Sequence, residues 1–245
     1  IVERVTKSLK SNGTSAAGHD GGGSKSNGRP ADAAKAAEGR GGPVRRMTLE
    51  TVASPLPRSS GELGLCPSGV VLISDDRRGV ARAVAADLRA HGHPAVVVGH
   101  DASAPGDSDT DGEYPVVDLT SQAAVDSLLG RLRARGPVAG LVHVLPLQET
   151  APAGLDPVSW AARMGPEVQG LFLLARGVAD DLARASGRGG AALVACTAMG
   201  GAFASAGMAP DRFFAGQGAV AGFVKTLARE WPRKVRVRVV DFDPR

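Results

Sequence analysis

The chain has 245 residues, a formal net charge of +4 and a pI near 9.4. Residues 1–46 hold nine Lys/Arg against four Asp/Glu, while residues 47–245 hold 20 against 21, so the part expected to fold is close to neutral and a basic nucleic-acid-binding face is excluded as its main feature. Two cysteines, Cys66 and Cys196, rule out a disulfide framework and a four-cysteine zinc site. With no signal peptide and no apolar run near the roughly 18 residues of a membrane span, a cytoplasmic protein without membrane contact is expected.

Ile1, Val5 and Leu9 share one helical face, but nine residues are too few for an isolated helix, so residues 1–9 read as the end of a preceding domain. Between Leu9 and Val44 there is no Val, Ile, Leu, Met, Phe, Trp or Tyr. Such a stretch cannot offset its chain entropy by burial, and residues 10–42 are expected to be a disordered linker. Its reach of roughly 30 Å suits either a tether for a moving neighbour or an inert spacer. The chain starts at Ile1 rather than Met and stops at Arg245 directly after a strand-like run, which suggests a piece of a longer polypeptide. Residues 43–245 are enough for one domain with one core.

Val44–Pro57 has a weak strand pattern closed by prolines. Val70–Ser74 is the first clear strand. Asp76–His91 reads as a helix on Val80, Val84 and Leu88, with Asp76 as N-cap and Gly92 past its end. Strands follow at Ala95–Val98, Val116–Asp118 and Val138–Leu145, then at Ala191–Cys196 and Val235–Phe242. Helical patterns over Ser121–Arg135, Asp156–Ser186 and Phe213–Glu230 lie between the later strands. Apolar strands alternating with amphipathic helices predict an α/β fold, a doubly wound parallel sheet of Rossmann-like type.

The chemistry of such a fold is set in the first strand-to-helix turn, which here reads Ser74-Asp75-Asp76-Arg77-Arg78-Gly79-Val80-Ala81. A dinucleotide diphosphate needs glycines there so that helix amides reach the anion. Only Gly79 and the small Ala81 fit, and two carboxylates add charge of the wrong sign. Arg77 and Arg78 either compensate or are solvated residues of the first helical turn.

The stretches VVLISDDRRGVARAVAADL, VHVLPL, PEVQGLFLLAR and GAVAGFVKTLAREWPRKVRVRVVDFDP resemble the short-chain dehydrogenase/reductase superfamily. More narrowly, residues 44–245 resemble the ketoreductase domain of type I polyketide synthases and polyunsaturated-fatty-acid synthases. The resemblance implies two Rossmann-like halves, of which this is the structural, non-catalytic one. The superfamily signature TGxxxGxG falls on Ser74 to Ala81, with its first glycine replaced by Asp75, and the remaining cofactor positions Ser74, Gly79, Ala81 and Asp118 are vestigial. The Asn or Lys position falls on Glu167, three residues before Gly170, the Ser position near Thr197, and the YxxxK pair on Phe213 and Gln217.

Hydride transfer to a ketone needs a proton donor and a cation beside it, and Phe213, Phe214 and Gln217 supply neither. The chain is therefore expected to have no intact catalytic residue and to bind no cofactor, while NADPH is implied for the parent ketoreductase. The resemblance also implies two partners, a catalytic ketoreductase half in the same polypeptide and an upstream acyl carrier protein. An NAD(P)-binding sensor or diverged short-chain oxidoreductase is the alternative. Leu171-Phe172-Leu173-Leu174 covers more of a helix than one face needs, so this helix is either interior or packed on the sheet on one side and on the catalytic half on the other.

Asp107, Asp109, Asp111, Gly112 and Asp118 have the spacing of a calcium loop. Pro105, Gly106 and Pro115 replace the flanking helix geometry, so a solvated acidic loop is the competing reading. The histidines show no metal spacing beyond His91/His93, and no metal site is expected.

Overall fold

Apolar strands buried on both faces must be covered from both sides, and this chain meets the requirement with a single parallel sheet. The computed structural model describes residues 64–104, 114–148, 156–205 and 213–243. Its strands are β1 (Val70–Ser74), β2 (Ala95–His100), β3 (Val116–Val117), β4 (Val138–His143), β5 (Ala191–Thr197) and β6 (Val235–Asp241), in the order β3-β2-β1-β4-β5-β6. Every neighbouring pair is parallel. The order reverses between β1 and β4, which opens a crevice above their carboxyl ends.

The helices are α1 (Val80–Ala90), α2 (Gln122–Arg135), α3 (Pro157–Met164), α4 (Gly170–Ser186) and α5 (Gln217–Glu230). Side chains alternate along each strand, so β1 sends Val70 and Leu72 to one side and Val71 and Ile73 to the other. The first side holds Leu128 of α2, Leu174 and Val178 of α4 and Val224 of α5. The second holds Val84 and Leu88 of α1 with Val97, Val142 and Val194. The doubly wound fold expected from the sequence is the fold observed.

Several boundaries are corrected. α1 starts at Val80 behind Gly79, not at an N-cap Asp76, although the Asp76 carboxylate still serves the helix end. β3 stops at Val117, and β4 ends at His143, followed by a 3-10 turn at Leu145–Leu147. The single helix expected over Asp156–Ser186 is instead α3, a π-helical turn at Gly165–Gln169, and α4. Pro166 has no N–H and its ring crowds the preceding turn, so the helix widens there. The last helix begins at Gln217, leaving Phe213 and Phe214 in the turn before it.

In the apolar run of α4, Leu171, Leu173 and Leu174 are buried, whereas Phe172 is 45% exposed and meets Phe223 of α5 edge-on at 6.0 Å. The helix is thus interior on three of these positions and open on the fourth. Residues 1–9, the linker 10–42, the weak strand at 44–57 and the acidic residues 107–112 lie outside the described residues. Among the described residues no helix is long and apolar enough to cross a membrane. Cys66 and Cys196 are buried and unpaired, and burial pushes the Cys196 thiol up.

Candidate functional site

At the carboxyl end of β1, Ser74 joins the two strands flanking the crevice. Its Oγ accepts the backbone N–H of Val144 and of Leu145, each at 3.1 Å, and lies 3.1 Å from His143 Nδ1. With two amides already pointing at Oγ, the hydroxyl proton is left for Nδ1. His143 therefore carries its own proton on Nε2, which it donates to the Glu167 carbonyl at 2.9 Å. Complete burial holds His143 down to about 4.

The turn after Ser74 is organised by its two carboxylates. Asp75 Oδ1 accepts the Arg77 N–H at 3.1 Å, supporting Arg77 at φ 54°, a left-handed conformation uncommon outside Gly. The Arg77 guanidinium donates to the His100 carbonyl at 2.6 Å, and Arg78 reaches the Leu147 carbonyl at 3.5 Å. Gly79 also lies in the left-handed region, at φ 93°, where a Cβ would meet nothing within 4 Å. Its requirement is conformational rather than spatial. Asp76 is fully buried, its Oδ1 2.9 Å from the Ala81 N and its Oδ2 3.2 Å from the Val80 N. A carboxylate thus sits on the free amides of α1, where a dinucleotide fold presents them to phosphate.

The positions that the sequence resemblance assigns to catalytic groups are likewise bonded within the chain itself. Glu167, fully buried in the π turn, pairs through Oε1 with Arg163 Nε at 2.9 Å. The Arg163 guanidinium lies 4.2 Å from the centre of the Phe214 ring, which Trp160 meets edge-on at 4.8 Å. Gln217, also buried, spans two strand ends. Its Nε2 donates to the Pro146 carbonyl at 2.7 Å and its Oε1 accepts the Ala198 N–H at 2.7 Å. Thr197 donates to Asp241 Oδ1 at 2.7 Å. Phe213 is half-buried in the turn before α5.

The fold therefore links Ser74 to Glu167 through His143, and Thr197 to Gln217 through Ala198. Asp118 stands apart at the end of β3. Its Oδ1 accepts the Thr120 N–H and hydroxyl at 2.8 and 2.6 Å and lies 3.9 Å from His100 Nδ1. Tyr114 is at that same sheet edge, 41% exposed under the Arg82 guanidinium, and does not replace the hydroxyl missing at Phe213. Among the described residues no group of three or more His, Cys, Asp or Glu is placed to hold a metal ion.

Sequence reading missed His143, Arg163 and Asp241 as members of this site. The one local signal was Pro166, which lies beside Glu167, the residue of the π turn whose carbonyl meets His143.

A family model described as enoyl-(acyl carrier protein) reductase matches residues 75–244. No curated protein sequence matches the chain. Among solved structures, the ligand-free aldohexose dehydrogenase of Thermoplasma acidophilum is similar at 14% identity and a TM-score of 0.54, over 71% of this chain and 66% of that one. A short-chain dehydrogenase of Shigella flexneri is similar at 18% identity and a TM-score of 0.54, over 72% of each chain. A gluconate 5-dehydrogenase of Burkholderia cenocepacia, in complex with NADP and tartrate, is similar at 18% identity and a TM-score of 0.52, over 72% of this chain and 71% of that one. The chain thus spans slightly less than two thirds of the length of the aldohexose dehydrogenase, and at these identities the likeness is one of fold.

Proposed function

The chain belongs to the enoyl-(acyl carrier protein) reductase family within the short-chain dehydrogenase/reductase superfamily, and from that premise we propose that it is a catalytically silent Rossmann unit. In this reading it is the structural half of a ketoreductase in a type I polyketide or fatty-acid synthase, supporting an NADPH-dependent half elsewhere in the parent polypeptide. The observation that carries the proposal is Gln217. At the position of the expected lysine stands a neutral amide whose oxygen and nitrogen are both committed to backbone groups, four residues after a phenylalanine that has no proton to give. The family's name, which couples reduction to acyl carrier protein, supports an acyl-thioester context.

The test is direct. The purified chain, given NADPH and a β-ketoacyl thioester, is expected to oxidise NADPH no faster than buffer does. Turnover above that rate would overturn the reading. Arg77 and Arg78 at the crevice rim favour a second reading, a nucleotide-binding sensor. Fluorescence titration with NADPH separates the two, with no saturable signal expected here.

A supporting unit needs a face for its partner. The outer side of α4 and α5 offers Phe172 and Phe223, and beside Phe223 the helical Gly222, where an added Cβ would meet nothing within 4 Å. Without the catalytic half, the chain is expected to self-associate weakly through this face. Phe172→Glu should shift its sedimentation profile toward monomer, and an unmodified chain that stays monomeric at high concentration would count against this docking face.

A further inference from the structure

We propose that Asp76 is a built-in occupant of the diphosphate position, an internal anion that keeps dinucleotides off the first amides of α1. The inference rests on the reading of the chain as a unit that takes no cofactor, and adds the residue that enforces it. The sheet reverses between β1 and β4, and α1 starts directly above that point, so its first amides face the crevice. An incoming diphosphate needs those amides. Both oxygens of the buried Asp76 already hold them, one on Val80 and one on Ala81.

Around the carboxylate two features of such a cradle remain. Gly79 keeps the left-handed turn that lets a backbone approach closely, and open space lies where its Cβ would be. Arg77 and Arg78 flank the turn on its exposed side, supplying positive charge at the rim where phosphate oxygens would emerge. With Asp76 in place, a ligand would have to break two hydrogen bonds and then sit against a like charge at a few ångströms, outside the screening of bulk water. With the carboxylate removed, the amides, the glycine turn and the two arginines remain.

The full chain and its Asp76→Gly and Asp76→Asn variants would be titrated with inorganic pyrophosphate and with NADPH, by calorimetry and by following the Val80 and Ala81 amide resonances. Asp76→Asn is isosteric and removes the charge while its oxygen still holds Ala81, so if the glycine variant does not fold it tests the like-charge repulsion and the freed Val80 amide. The expected result is no saturable binding to the unsubstituted chain, and binding of both ligands by a folded variant at least about tenfold tighter, with the Val80 and Ala81 resonances moving. A folded variant that binds no better than the unsubstituted chain would overturn the role of Asp76 while leaving the silent-unit reading intact. NADPH binding by the unsubstituted chain, equal to that of the variants, would overturn both.

Discussion

Asp241→Ala is expected to cost roughly 3–5 kcal/mol of folding stability, the largest loss from any single polar substitution near the crevice. The Asp241 side chain is buried at the end of β6 and accepts three hydrogen bonds. Thr197 Oγ1 and the Met199 N–H come to Oδ1 at 2.7 Å each, and the Phe203 N–H comes to Oδ2 at 2.8 Å. Alanine would leave three donors without an acceptor in an interior where each unmade bond costs about 1–3 kcal/mol.

The loop it holds is itself under strain. Phe203 and Ala204 both take left-handed φ values of 50° and 56°, and such residues persist only where surrounding bonds over-determine them. Asp241→Asn should be milder, about 1–2 kcal/mol, since its oxygen can keep Thr197 and Met199 while its amide faces the Phe203 N–H donor to donor. Urea unfolding followed by tryptophan fluorescence measures both. Equal losses for the two variants would mean that the Thr197 and Met199 bonds contribute nothing, and an Asp241→Asn variant as stable as the unsubstituted chain would mean that the Phe203 contact contributes nothing.

The strands were legible because each is a short apolar run, and a parallel sheet buries both faces of such a run, as it does for Val70–Ser74 and Val138–His143. The doubly wound parallel arrangement followed from the alternation of strands with helical patterns.

The closure of the site was not legible. Ser74 meets Val144 and Leu145 across 70 and 71 positions, and Gln217 meets Pro146 across 71. Bonds between a side chain and a distant backbone leave no period in the sequence, so Gln217 read as a lost lysine and not as a brace. Asp76 read as charge of the wrong sign for phosphate. That its carboxylate occupies the helix amides depends on the turn geometry set by Gly79. Phe172 failed differently. Four apolar residues in a row imply burial on average, but the packing of α4 on α2 and on the sheet decides which one is left outside.

The pH dependence of stability should carry the signature of His143. Its base form is the one that fits, because complete burial disfavours the imidazolium and, beside that, Ser74 donates to Nδ1, where a second proton would face a donor. The folded protein therefore holds His143 near 4, against 6.5 when unfolded. Between those values the unfolded chain binds a proton that the folded chain does not, so stability rises with pH across this window. The contribution is complete above about pH 6.5 and is lost as the pH falls toward 4, with an amplitude of about 3 kcal/mol. Burial also lowers His93 and His100, and carboxylates protonate in the lower part of the range, so the informative quantity is a difference. His143→Gln lowers stability at pH 7 by losing the Ser74 contact, but it should remove most of the His143 share of the slope, bringing the two unfolding curves together toward pH 4. Curves that stay parallel from pH 7 to pH 4 would show that His143 takes up its proton without resistance, and that the bond between Ser74 and Nδ1 does not set its protonation state.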